Sequence, residues 1–388
     1  MNDREVLIVA GEASGDRIAS LAARALAARG ASLFGLGGPA CRAAGVSLVA
    51  DGSRLGAMGL RDVAARLPAL ASAVLRVLDR VRRRPPRAAL LVNATELNQR
   101  LGPLLRRLGV RVLWCVAPQV WAWRPGRIEA LRGACDRLAV ILPFEEALWR
   151  RAGYDARYVG HPSLDVPHLP RNDLRIALGI DARATAVAVL AGSRAGEVRR
   201  LAGPLCAAAA RLVRAGAATT ARMIVARGID PRAAALATAC ADRANIPVIE
   251  GDPDHGAAPL LGAFDAALCA SGTASLEAAL AGAAPVVTYR MDRVSFAVAR
   301  RLVRTPHIAL PNVLLGRRAY PELVQDEVTE ERIEGAARGL LEQRDASRAA
   351  ASELHATLAI EGAASFGDRV AASLEDWLFR GGDRLGDR

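Results

Sequence analysis

The chain has 388 residues, 52% of them apolar, enough for about two ordinary domains with substantial cores, which excludes global disorder. All 52 basic residues are arginine, which excludes a Schiff-base lysine and a Walker-type phosphate lysine and leaves anion recognition to guanidinium groups, backbone N–H groups and hydroxyls. The net charge of +12 is one-sided: residues 1–164 hold 25 Arg against 13 acids, whereas residues 165–388 hold 27 of each, so an anionic partner (nucleic acid, anionic lipid or a phosphorylated substrate) is expected at the first part.

In chain order, Val6–Ala10 reads as a strand, and its five apolar residues are too few for a signal-peptide core. Glycine-rich turns follow at Gly11-Glu-Ala-Ser-Gly-Asp16 and Gly35-Leu-Gly-Gly38. The segment Arg61–Val81 is helical, with Val63, Leu67, Leu70, Val74, Leu78 and Val81 on one stripe flanked by Arg76, Arg80 and Arg82–Arg84. Such a helix faces either a core or a membrane surface. Strands are predicted at Ala88–Val92, Arg111–Val116, Arg137–Ile141 and Arg157–Val159. Three prolines in Gly160–Pro170 mark a domain boundary. Beyond it, strands are predicted at Thr185–Leu190, Ala221–Ala226, Pro247–Glu250, Ala266–Cys269 and Pro285–Thr288. Apolar runs without alternation suit strands buried on both faces, so the expected class is α/β with doubly wound parallel sheets. The expected domains are 1–164, 165–345 and a helical tail, 346–388, packing back on two lobes that face each other across a cleft. The cysteines at 41, 115, 135, 206, 240 and 269 show neither zinc spacing nor a disulfide framework, and buried thiols in a reducing compartment are expected. No apolar run is long enough to predict a transmembrane helix.

Two further turns follow predicted strands: Gly192-Ser-Arg-Ala-Gly-Glu197 and Ser271-Gly-Thr-Ala-Ser-Leu-Glu277. Small residues there let backbone N–H groups approach an anion, and a following helix N-terminus adds positive potential. Each is an ordinary strand–helix turn or a phosphate site; two together, one carrying Arg194, favour a diphosphate. Thr273 and Glu277 share a helix face, so Glu277 is placed to hold ribose hydroxyls or is simply a solvated acid. The segment Trp114–Arg127 concentrates three Trp and two Arg, suited to sugar stacking or to a packed loop. In Val92-Asn-Ala-Thr-Glu-Leu-Asn98, Glu96 is a strand-end carboxylate, a general-base candidate or a helix N-terminal acid. His161, in Gly-His-Pro, is a second candidate or a hinge residue. No Ser-His-Asp order and no zinc-type spacing is present.

These motifs resemble, in order, those of bacterial lipid-A-disaccharide synthases. The resemblance runs from about residue 6 to 325 and comprises Ala10-Gly-Glu-Ala-Ser-Gly-Asp, Gly37-Gly-Pro, Met58-Gly-Leu, Pro118-Gln-Val-Trp-Ala-Trp-Arg, Pro143-Phe-Glu, Val159-Gly-His-Pro, Gly192-Ser-Arg with Glu197, Ala270-Ser-Gly-Thr-Ala with Leu276-Glu, and Pro311-Asn-Val-Leu-Leu-Gly with Pro321-Glu-Leu-Val-Gln. It implies a GT-B-type fold of two Rossmann-like lobes. It also implies inverting transfer of 2,3-diacylglucosamine from its UDP derivative to 2,3-diacylglucosamine 1-phosphate, without metal or cofactor. The expected location is the cytoplasmic face of the inner membrane, as a peripheral enzyme on its anionic surface and with no nucleic-acid partner. Carried over, Glu96 is the base. Ser193, Arg194, Glu197, Ser271, Gly272, Thr273, Ala274, Glu277, Asn312, Glu322 and Gln325 are expected around the donor. Ser14, Gly15, Asp16, Met58, Gly59, Asn98, Trp121, Trp123, Arg124 and His161 are expected on the acceptor side. Two departures stand out. The family's Asp-x-Pro-Asp has become Asn93-Ala-Thr95-Glu96, with a base one methylene longer, and Ala191 replaces a proline before Gly192. A UDP-sugar epimerase of the same fold and a non-catalytic lipid- or nucleotide-binding relative are the alternatives.

Overall fold

A computed structural model describes residues 4–11, 13–52, 60–122, 126–227, 229–303 and 305–378. Met58, Gly59, Trp123 and Arg124 lie outside the described residues, as do the side chains of Val63, Leu67 and Leu70. The chain divides into two compact units, Met1–Asp165 with Ile360–Arg388, and Val166–Ala359.

In the first unit, β1 (Glu5–Ala10), β2 (Ser32–Gly37), β3 (Ser47–Asp51), β4 (Ala88–Val92), β5 (Arg111–Cys115), β6 (Arg137–Val140) and β7 (Ala156–Tyr158) form a parallel sheet in the order β3-β2-β1-β4-β5-β6-β7. Successive side chains of a strand point to opposite faces, and both faces are buried here. Leu7, Val9, Leu91, Val112 and Trp114 meet Val77 and Val81 of the helix Leu60–Arg83 and Leu101 and Leu105 of the helix Thr95–Arg107. Val6, Ile8, Leu90, Val92 and Leu113 meet Ala19, Ala22 and Leu26 of the helix Ala13–Ala28. That second layer is completed by the tail helix Phe366–Leu378, through Phe366, Val370 and Leu374. Arg137 ties the tail down: it pairs with Asp155 at 2.7 Å and Asp376 at 3.1 Å, and its guanidinium stacks 4.7 Å from the Trp377 ring centre. The other tail helix, Arg344–Leu358, belongs to the second unit.

The second unit repeats the plan. Strands β8 (Ala186–Leu190), β9 (Thr220–Val225), β10 (Val248–Glu250), β11 (Ala266–Ala270), β12 (Ala284–Tyr289) and β13 (Glu322–Val324) are parallel in the order β10-β9-β8-β11-β12-β13. Its core is built from small residues such as Ala186, Ala188, Ala267 and Cys269, closed by Leu174, Leu261 and Phe264.

The structure corrects two readings and decides a third. The Gly35–Gly38 segment is not a free turn: Gly35 and Gly37 lie within β2, and a Cβ on Gly35 would stand 1.8 Å from the Ile8 carbonyl oxygen, so the glycines permit close pairing with β1. Strands β3 and β13, at the edges of their sheets, were not predicted. The stripe of Arg61–Val81 is core-facing where its side chains are described, with Leu78 and Val81 buried and Val74 packed against the core. All six cysteines are buried and free.

Candidate active site

Each sheet reverses its winding once, between β1 and β4 in the first unit and between β8 and β11 in the second. Helices leaving such neighbouring strands diverge and open a crevice at the carboxyl ends, where open α/β sheets bind ligands. Ser14 and Glu96 stand in the first turns of the helices leaving β1 and β4. Arg194 and Thr273 start the helices leaving β8 and β11. The two switch points therefore collect the main candidates of each unit.

In the first unit Glu96 is reached through backbone that most residues avoid. Asn93, Ala94 and Val116 have φ of 55°, 46° and 65°, and such left-handed non-glycine residues cost about 1–3 kcal/mol each unless their surroundings hold them. The Asn93 N–H donates to the Cys115 carbonyl at 3.0 Å, and the Asn98 amide donates to the Asn93 carbonyl. Buried Asn98 thus holds the turn that presents Glu96. The Glu96 side chain is 70% exposed, and the Arg127 guanidinium donates to its Oε1 at 2.8 Å. Asp16 has a different job from the one expected. It is buried, and it accepts from the N–H groups of Gly38 (2.6 Å), Ala40 (2.9 Å) and Cys41 (3.2 Å), capping the helix Pro39–Ala43. Gly15 is buried against Asn93, and Ser14 is half-buried beside it.

Trp121 donates from its indole nitrogen to Glu145 Oε1 at 2.9 Å and packs edge-on against Phe144, ring centres 5.2 Å apart. Trp114, in contrast, is a core residue of β5. Glu145 is buried, its pKa pushed up to about 7 by desolvation against the hydrogen bonds from Trp121 and backbone N–H groups. His161 is buried too; its Nδ1 accepts from the Ser163 N–H at 3.2 Å, which places the proton on Nε2, and desolvation lowers its pKa to about 4. A neutral imidazole fixed in this way suits a structural role better than proton transfer. Glu145 entered the sequence reading only as part of the Pro143-Phe-Glu motif, with no role, because burial of a helix-start acid has no local signature.

Glu145 yields a stability prediction. Its folded pKa lies above its unfolded one, so its contribution is fully present below pH about 4.5 and is lost as pH rises through about 7, by about 3 kcal/mol. His161 runs the other way, its contribution present above about 6.5 and lost as pH falls towards 4. Glu145→Gln removes only the first effect. Urea unfolding is expected to show the variant more favourable relative to wild type at pH 8 than at pH 5; an equal difference at both would contradict the assignment.

In the second unit the turn after β8 is closed by its own glutamate. Glu197 accepts from the Arg194 N–H at 3.4 Å and pairs with the Arg194 guanidinium at 3.3 Å. Gly192, at φ 103°, lies under that carboxylate, and a Cβ there would stand 2.4 Å from Glu197 Oε2. Exposed Ser193, Gly272 and Thr273 and half-buried Arg194, Ala274 and Glu277 remain on the open side. The Ser271 hydroxyl donates to the Ile308 carbonyl at 3.0 Å, and Glu322 accepts from the N–H groups of Ile308 and Ala309. Asn312 donates to Tyr320 O and Glu322 Oε1, both at 2.8 Å, and accepts from the N–H groups of Ala319 and Tyr320, which fills its amide. Gln325 is bound to the N–H and carbonyl of Met291. Glu197, Ser271, Asn312, Glu322 and Gln325 therefore brace the loops at this edge.

A sequence model of the family described as lipid-A-disaccharide synthetase matches residues 6–371. A lipid-A-disaccharide synthase of Anaeromyxobacter sp. (strain K) is 39% identical over 366 residues, covering 92% of this chain and 94% of that one. The chain belongs to the lipid-A-disaccharide synthase family. Among solved structures, a candidate UDP-N-acetylglucosamine 2-epimerase from Listeria monocytogenes matches with a TM-score of 0.67 at 12% identity, covering 98% of each chain. Acinetobacter baumannii MurG matches with a TM-score of 0.51 at 16% identity, covering 92% of this chain and 99% of that one. At those identities the likeness establishes the shared GT-B-type fold of two Rossmann-like lobes. Membership in the synthase family favours glycosyl transfer over the epimerase alternative.

Proposed function

We propose that this chain transfers 2,3-diacylglucosamine from its UDP derivative to the 6-hydroxyl of 2,3-diacylglucosamine 1-phosphate, with inversion, releasing UDP. The observation that carries this reading is the division of labour between the switch points: the exposed Glu96 carboxylate in one unit, and anion-type turns with Arg194 in the other. Glu96 takes the proton of the acceptor 6-hydroxyl as its oxygen attacks the anomeric carbon. The bond from that carbon to the diphosphate breaks through an oxocarbenium-like state. Charge develops on the leaving diphosphate, where preorganised donors matter most. Arg194, Ser193 and the backbone at Gly272–Ala274 supply them, and Glu277 holds the ribose. Mass spectrometry after incubation with both acylated substrates tests the reading: the acylated disaccharide 1-phosphate and UDP are expected. UDP release without a disaccharide product would refute it, as would epimerisation of an unacylated UDP-sugar.

The excess charge of the first part supports a seat on an anionic membrane surface. No helix among the described residues is long and apolar enough to cross a membrane. On the helix Leu60–Arg83, Arg80 is committed to Glu5 at 2.8 Å, whereas Arg76 and Arg82 are exposed. Each such charge near an anionic surface contributes about 1 kcal/mol. Replacing Arg76 and Arg82 together by Gln is expected to weaken binding to phosphatidylglycerol-containing vesicles about 30-fold at low salt, at about 1.4 kcal/mol per tenfold. Unchanged vesicle binding would move the contact to another face.

A further inference from the structure

The pairing of Glu96 with Arg127 is unusual for a general base. A guanidinium on a carboxylate oxygen engages the electron pair that must accept the proton. Arg127 spends only Nη2, shared between Glu96 Oε1 at 2.8 Å and Gln99 Oε1 at 3.0 Å. Among the described residues its Nε and Nη1 have no hydrogen-bond partner, and neither does Glu96 Oε2. The Arg127 side chain is 21% exposed and its partner 70%. Its stretch of backbone is anchored from beneath by the Tyr154 hydroxyl, which donates to the Ile128 carbonyl at 2.7 Å. The base therefore stands beside a held guanidinium with three N–H donors to spare.

We propose that Arg127 receives the phosphate of the acceptor, and that its ion pair with Glu96 is a resting state which the phosphate displaces. The proposal rests on Glu96 being the base. An ion pair with an exposed carboxylate is weak. A phosphate meeting the guanidinium fork through two parallel N–H bonds is among the strong charge-assisted contacts. Exchange therefore runs from carboxylate to phosphate and leaves Glu96 free to take the hydroxyl proton. In a hexopyranose, C1 and C5 flank the ring oxygen and C5 carries C6, so one side chain at the C1 phosphate and a neighbour at the 6-hydroxyl span one edge of the sugar. The same pair then selects a phosphorylated acceptor and withholds the base until one is bound.

The test compares acceptor with and without its 1-phosphate, in neutral detergent micelles that carry no anionic lipid. Arg127→Gln is expected to raise the KM of the phosphorylated acceptor about ten- to a hundredfold, to leave the donor KM unchanged, and to abolish the preference for the phosphorylated form. Arg127→Lys keeps the charge without the fork and recovers part of the preference, which a folding defect would not allow. Retained preference in Arg127→Gln overturns the proposal, and a raised donor KM assigns the residue to the diphosphate instead. An effect seen only on anionic vesicles assigns it to the membrane and overturns the proposal as well. Glu96→Gln deprives Arg127 of its anionic partner, so this variant is expected to bind the phosphorylated acceptor more tightly in the absence of donor; unchanged or weaker binding overturns the competition. Should Glu96→Gln turn over at the wild-type rate, the base assignment falls on its own, because the phosphate preference of the Arg127 variants is read independently.

Discussion

Glu96→Gln is expected to lower turnover by about 10²–10⁴, the usual worth of a general base. The substitution keeps size and hydrogen bonding but cannot accept a proton. Glu96 is exposed on the first unit, and its carboxylate takes part in no core contact, so the fold should be indifferent to the change. The donor is assigned to the turns of the second unit, so donor affinity should hold while kcat falls. Glu96→Asp is the sharper comparison. The resemblance to the family implies an Asp at this point of the motif, and a one-methylene difference moves the carboxylate by about an ångström, enough to cost rate where positioning matters. The left-handed pair Asn93–Ala94, clamped by Asn98, fixes where the helix begins and hence where the acid's Cα stands. If that turn is set for the longer acid, Asp is slower than Glu. An Asp variant equal to or faster than wild type would mean the site keeps the shape of the shorter acid. A Gln variant with wild-type turnover would remove Glu96 from the chemistry, with substrate-assisted proton transfer the next candidate, since His161 is buried and neutral.

Arg194→Ala is expected to weaken UDP-sugar binding and turnover by about ten- to over a hundredfold, the loss of a charge-assisted bond worth roughly 1.5–3 kcal/mol. Arg194 begins the helix leaving β8, at the switch point, and its guanidinium is 41% exposed and meets Glu197 at 3.3 Å. Removing it should cost little stability, because the Arg194 N–H still donates to Glu197 and the helix keeps that cap. Arg194→Lys should recover only part of the loss, since an ammonium cannot engage two diphosphate oxygens as a planar fork does. Isothermal titration with UDP separates the outcomes: lost affinity with an unchanged melting temperature supports the role, whereas unaltered affinity would place the diphosphate elsewhere.

Local pattern was enough to read much of this protein. Unbroken apolar runs such as Val6–Ala10 and Ala266–Cys269 announced strands buried on both faces, because burial on both sides erases alternation. Small residues after those strands announced the strand–helix turns at the switch points, and the order of the motifs announced the family. Other features came from contacts between distant residues. Asp16 and Glu197 look alike in sequence, each an acid near a glycine turn, yet Asp16 caps a helix start more than twenty positions away and Glu197 caps its own. Asn312, Glu322 and Gln325 carry the polarity of ligand-binding residues but spend it on backbone groups of neighbouring loops. Glu145 titrates near neutrality because Trp121 and the core surround it, and no spacing marks that. The glycines of β2 read as a turn until Ile8 stands beside them. The tail looked like packing material, and it supplies part of one face of the first sheet. Sequence pattern reports how much of a segment is buried and in what rhythm. Which partner satisfies a buried polar group depends on chain segments brought together only by folding, and most such groups find one.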